Sequence, residues 1–172
     1  MPMTKTATEV LTPEHTNIGL DEGKRAAIVE SLNRVLADEH VLYIKTRNYH
    51  WNVRGPRFND LHKFFEAQYE ALSDIIDQVA ENARQFGGFA HATMAEFSKN
   101  SHLKEHPGDF PDSTTMVRNL LADQESVIVQ LRKDVAAATD MDAADAADFL
   151  TGVLEKHNQM AWMLRSFTAP ER

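Results

Sequence analysis

The sequence predicts an all-α protein: a four-helix bundle in which the second and third long helices are joined by a long crossover that carries a short helix of its own. Three observations support this. Apolar residues recur at alternating four- and three-residue intervals through four long stretches, which is the period of a helix with one buried face. Glycine and proline punctuate both ends of the second stretch, at Gly55-Pro56 and Gly87-Gly88. The first connection is a tight turn, whereas residues 89 to 111 separate the second long stretch from the third.

Helix A is expected from Lys24 to Val53, on apolar residues Ile28, Leu32, Val35, Leu42, Tyr49 and Val53, with Glu39 and Thr46 interrupting the stripe. Gly55-Pro56 ends it, because the residue before proline avoids the helical region and proline suits a helix start. Helix B follows over roughly 57 to 86, carried by Phe58, Leu61, Phe65, Leu72, Ile75, Val79, Ala83 and Phe86, and stops at the double glycine. Within the crossover, TMAEFSK can form the short helix. Helix C is marked by Val117, Leu120, Leu121, Ile128, Leu131, Val135 and Ala138. After the acidic turn TDMDAADAAD, helix D is marked by Ala143, Ala147, Leu150, Leu154, Ala161, Leu164 and Phe167. One short and one long connection correspond to the ferritin-like type of bundle. The expected organisation is a flexible acidic tail over 1–21, one domain over 22–168 and a short tail over 169–172.

At 172 residues the chain is one domain's worth and can bury a real core. There is no cysteine, so disulfides, thiolate metal sites and a cysteine nucleophile are excluded, and any metal falls to imidazole and carboxylate. The formal net charge of -8 argues against whole-surface attraction to nucleic acid or anionic lipid. Neither a secretory signal pattern nor a run of ~20 apolar residues is found, so a cytoplasmic location and no membrane association are expected.

The chemistry concentrates on helix B. His62, Glu66, Asp77 and Glu81 fall at about 0°, 40°, 60° and 100° around its axis, one stripe on a side different from its apolar face. A solvated polar face is the plain reading. His62 with Glu66, and Asp77 with Glu81, are each one turn apart, but ~16 Å of helix separates the two pairs, too far for one metal. Two copies of helix B packed antiparallel about a twofold would bring them together. The numbers 62 with 81 and 66 with 77 add to the same total, so His62 meets the partner subunit's Glu81, and Glu66 meets the partner subunit's Asp77. His50 lies six residues before Pro56, as His62 lies six after it, which sets both imidazoles at a similar height above the turn. Two imidazoles and three carboxylates suit iron(II), with zinc, manganese and cobalt able to compete.

At these residues the sequence resembles a known family. TRNYHWNVRGPRFNDLHKFFEAQYEAL and IDQVAE, with LKEHPGDFP and MAWMLRSF further on, are similar to Dps, the ferritin-like DNA-binding proteins from starved cells, over about Ile18 to Phe167. The resemblance implies a four-helix subunit, a hollow dodecamer, and ferroxidase sites shared across dimer interfaces with His50, His62, Glu66, Asp77 and Glu81 as ligands. It also implies that Trp51 intercepts oxidising equivalents beside the site, and that Asp145 and Asp148 at the start of helix D line an acidic pore for iron entry. Without the family, Trp51 reads as an interface or core residue, and the aspartates as charges favourable at a helix N-terminus. Two departures stand out. Glu66 occupies a position where familiar members carry aspartate, so the longer side chain can shift the metal or bind it through water. The N-terminal segment lacks the lysine cluster with which some members bind DNA.

The resulting expectation is a cytoplasmic ferroxidase and iron-storage homo-oligomer, a dodecamer, that oxidises iron(II) with hydrogen peroxide or oxygen and protects against oxidative damage. A non-enzymatic DNA-packing or structural oligomer of the same fold is the alternative. An intra-bundle metal site built on Glu-x-x-His pairs is disfavoured, because no histidine follows a glutamate at that spacing. His157, at an apolar position of helix D, is expected to be a hydrogen-bonded core residue. His91, His102 and His106 are expected to face solvent or bond locally.

Overall fold

A computed structural model describes residues 16–169, so the expectations for residues 1–15 and 170–172 lie outside it. The described residues form five helices and no strand: α1 (Glu22–Asn52), α2 (Phe58–Gln85), α3 (Met94–Asn100), α4 (Ser113–Asp140) and α5 (Ala144–Thr168). The four long helices make the bundle as two packed hairpins, α1 with α2 and α4 with α5, while the short α3 lies in the crossover and rests on α1. No helix among the described residues is long and apolar enough to cross a membrane.

Local chemistry sets each boundary. α1 starts at Asp21, whose carboxylate accepts the Lys24 amide at 2.9 Å. It ends where Val53 turns extended before the Gly55-Pro56 corner, with Gly55 at φ 106°, a conformation glycine adopts without a Cβ penalty. α2 closes in a Schellman motif: the Gly88 amide reaches the Ala83 carbonyl at 3.2 Å and the Gly87 amide reaches Arg84 at 2.9 Å, with Gly87 at φ 83°. α4 closes the same way without glycine. Asp142 takes φ 59°, and the Ala143 and Asp142 amides bond the Ala138 and Thr139 carbonyls, each at 3.0 Å. α4 begins four residues before the first apolar mark, Val117, because the Asp112 carboxylate caps it through the Thr114 and Thr115 amides.

The Asp112 and Glu96 caps give the crossover a pH dependence. Hydrogen bonds from Thr115 foremost for Asp112, and from Thr93 foremost for Glu96, hold both carboxyls below their ordinary range. A lowered folded-state value means the stabilisation is full above the ordinary carboxylate range and is lost as pH falls through the lowered values. Protection of the Thr93, Thr114 and Thr115 amides against exchange, corrected for intrinsic rate, is therefore expected to drop first as pH is lowered from about 6 towards 3. Equal loss across the bundle would contradict this.

The apolar stripes meet in one core that includes Leu32, Leu36 and Leu42 of α1, Leu61, Phe65 and Leu72 of α2, Leu120 and Leu131 of α4, and Leu150 and Leu164 of α5. Phe58 departs from the expected pattern. As the first residue of α2 it lies beyond the end of the core, is 45% exposed, and stacks on His62 instead. His157 is fully buried, as expected, and its partners span the bundle: Nε2 meets Glu39 Oε1 at 2.7 Å and Nδ1 meets Gln124 Oε1 at 2.6 Å. Glu39, which reads as an interruption of helix A, is thus a core residue. One of its oxygens, Oε2, has no hydrogen-bond partner among the described residues.

The crossover is pinned to α1 from a distance. Asp38, nearly inaccessible, accepts the Ser101 hydroxyl at 2.7 Å and the His102 amide at 2.9 Å, and also pairs with His102 Nδ1 at 2.7 Å. His102 is exposed, in line with one arm of the expectation that it faces solvent or bonds locally, yet its hydrogen bonds reach across 64 residues. Lys45 of α1 and Asp123 of α4 form a second tie at 2.5 Å. Burial pushes the Asp123 carboxyl up, with the Lys45 ammonium opposing it.

Candidate metal centre

The α1–α2 turn brings His50, on the last turn of α1, against His62, on the second turn of α2. The rings stack at 3.8 Å between centroids and 19° between planes. Each ring also bonds the other residue's backbone: His50 Nδ1 to the His62 carbonyl at 2.8 Å, and His62 Nδ1 to the His50 carbonyl at 2.9 Å. A carbonyl oxygen only accepts, so both Nδ1 atoms carry the hydrogen. In the neutral rings the lone pair is consequently on Nε2 in both residues, and among the described residues no protein donor engages either Nε2. This is the arrangement by which proteins prepare imidazoles as metal ligands, with one nitrogen donating to a carbonyl and the other left free.

Aromatic groups pack around the pair. Phe58 covers His62 at 5.1 Å, and Tyr69 meets His50 edge-on at 5.3 Å. Tyr69 reaches Glu66 Oε1 at 3.4 Å. Desolvation first, and then the Glu66 carboxylate, push the Tyr69 phenol above its ordinary range, with Arg47 opposing. The Arg47 guanidinium sits among three rings, 4.9 Å from Trp51, 5.1 Å from Tyr69 and 5.6 Å from Tyr43, and donates to the Tyr43 hydroxyl at 2.8 Å. Trp51 itself is 63% exposed, so within one chain it is a surface ring held by a cation rather than a core residue.

The structure brings together His50 and His62, with Glu66 one turn along α2. Asp77 and Glu81 remain exposed further down the same unbroken helix. Among the described residues no group of three or more His, Asp or Glu side chains converges to hold a metal within one chain. Asp145 and Asp148 are exposed in the first turns of α5, whose N-cap residue Ala143 contributes no side-chain bond. Sequence reading missed Tyr43, Arg47 and Tyr69. The spacing of Tyr43, Arg47 and Trp51, four residues apart along α1, was the available signal, since such residues share a helix face.

Known proteins are similar to this chain over most of its length. A ferritin-like domain matches residues 29–170. A low temperature-induced protein of Nostoc is 45% identical over 152 residues, 88% of this chain and 85% of the relative. DNA protection during starvation protein 2 of Bacillus anthracis is 36% identical over 141 residues, 81% of this chain and 95% of the relative. The chain belongs to the Dps family. Among solved structures, the Dps protein of Vibrio cholerae O1, described as a member of a broad superfamily of ferritin-like diiron-carboxylate proteins, superposes with a TM-score of 0.84 at 26% identity, covering 90% of this chain and 97% of that one. In this Dps chain the bundle core holds His157 bonded to both Glu39 and Gln124, while the two prepared imidazoles lie at the outer α1–α2 corner.

Proposed function

We propose that this Dps protein is a ferroxidase and iron-storage cage, with iron(II) as its substrate bound between subunits. The observation that carries this reading is the reciprocal pair of Nδ1-to-carbonyl bonds, which leaves the Nε2 lone pair free on each of two stacked rings. Two imidazoles alone bind a ferrous ion weakly. Glu66 is the first carboxylate within reach along α2, and Asp77 and Glu81 of the partner subunit complete the set when two α2 helices run antiparallel. The description of the Vibrio cholerae protein as ferritin-like diiron-carboxylate supports a carboxylate-rich iron site of this type.

The protein's residues bind and orient the metal, and the electrons come from iron itself. Hydrogen peroxide takes two electrons, so two iron(II) ions are consumed per peroxide; oxygen is the slower oxidant. Asp145 and Asp148 draw iron(II) towards the cage by raising its local concentration, and twelve subunits enclose the iron(III) mineral. Trp51, with Arg47 against its ring, is placed to intercept stray oxidising equivalents. Zinc, manganese and cobalt compete for the same ligands. The location is cytoplasmic, and the outcome is protection against oxidative damage.

The test separates chemistry from assembly. The double variant Asp77→Ala, Glu81→Ala is expected to lose rapid iron(II) oxidation while eluting from size exclusion at native size. Full activity in that variant would return the stripe to a plain solvated face. The name of the Bacillus anthracis relative favours a second reading, DNA protection by direct packing. A formal net charge of -8 opposes it, and a gel shift at physiological salt is expected to show no tight complex.

A further inference from the structure

Of the histidines with described structure, one more shares the preparation of His50 and His62. His40 Nδ1 lies 2.8 Å from the Leu36 carbonyl, which can only accept, so its hydrogen is on Nδ1 and the neutral ring carries its lone pair on Nε2. Its plane is fixed by stacking on Phe97 of α3, at 3.7 Å between centroids and 13° between planes. The other buried or pinned histidines differ. His157 and His102 have both ring nitrogens engaged, and His91 Nδ1 faces the Asn100 amide at 3.0 Å, so it accepts there and leaves the hydrogen on Nε2.

His40 opens on a cavity of about 550 Å³ between α1, α2 and the start of α3, whose lining includes Asp74, Asp77 and His91. Asp74 and Asp77 lie three residues apart on α2, exposed, and neither forms a hydrogen bond or ion pair among the described residues. We infer that His40 Nε2, with the Asp74 carboxylate that lines the same cavity, forms a further binding position for a first-row divalent cation, separate from the His50–His62 corner. His40, Asp74 and Asp77 do not converge as a closed cage. The position is therefore an open one, with water completing the coordination, and it binds more weakly than the corner site. The inference concerns metal binding alone and does not depend on ferroxidase activity.

The experiment uses the full-length protein at native assembly size, titrated calorimetrically with zinc(II) alone in the absence of oxidant. The native protein is expected to bind one weaker equivalent per chain beyond the corner site. His40→Gln is expected to lose that equivalent or weaken it at least about tenfold. His62→Gln should retain it, and His91→Gln should leave it unchanged. Should His40→Gln fail to assemble, His40→Phe decides, since it keeps a ring on Phe97 but supplies no nitrogen. An unchanged count and affinity in the assembled His40 variant would overturn the inference. Failure of the ferroxidase reading would instead appear as unaltered iron oxidation in His62→Gln, whatever zinc binding shows.

Discussion

Replacing His62 by alanine is expected to slow iron(II) oxidation by more than about tenfold under limiting peroxide, and His50→Ala should do the same. The geometry makes these clean removals. Each ring is oriented by the other residue's backbone carbonyl, which alanine retains, so the remaining imidazole keeps its Nδ1 bond and its free Nε2. What is lost is one nitrogen ligand and the stacked ring. Stopped-flow absorbance on variants that assemble normally is the measurement. Rates equal to native in both variants would refute the assigned corner. Phe58, which stacks on His62, should give a smaller effect when replaced by leucine, since it covers the ring without contributing a ligand.

The second large effect is on stability and lies in the bundle core. His157→Ala is expected to cost about 3–5 kcal/mol, because it leaves the fully buried Glu39 carboxyl without its hydrogen-bonding partner and opens a cavity. At this chain length that corresponds to a fall in melting temperature of roughly 6–20 °C, compared at one protein concentration. The combined variant Glu39→Met, Gln124→Met, His157→Leu should recover most of that loss, since replacing a buried polar set by apolar residues of similar volume is often neutral or stabilising. Thermal unfolding followed by circular dichroism distinguishes the two. A loss below about 1 kcal/mol for His157→Ala would mean that the pair contributes little beyond its packing.

Much of the fold could be read directly. The apolar period located four long helices, the Gly55-Pro56 and Gly87-Gly88 signals gave both ends of α2, and TMAEFSK correctly marked α3. The errors have physical causes. α4 starts earlier than its apolar stripe because a capping carboxylate, rather than core contact, fixes a helix start. Phe58 has the right spacing for the core but lies at the end of the bundle, where it is only partly covered, and periodicity carries no information about where a bundle ends.

The candidate site divides along the same line. The spacing of His50 and His62 about a proline turn was enough to place two imidazoles together, because a tight hairpin of two helices leaves few choices of height. Which nitrogen each would present was invisible, since it depends on carbonyls brought within 3 Å only when α1 and α2 pack. His40 was silent for the same reason: its partner Leu36 is local, but the ring of Phe97 meets it, and Asp74 of α2 lines the same cavity, only through the fold.

By itself, then, the sequence determined the helices, their order, the absence of thiol chemistry and the pairing of two histidines, all of which follow from interactions within a few residues along the chain or across one short turn. The tertiary structure decided the rest: the burial of Glu39 against His157, the hold of Asp38 on the crossover, the tautomers of the paired imidazoles, and the approach of Arg47 to Tyr69. Each depends on groups far apart in sequence excluding water from one another. A hydrogen bond or a charge gains its strength and its direction from that exclusion, and no local pattern records it.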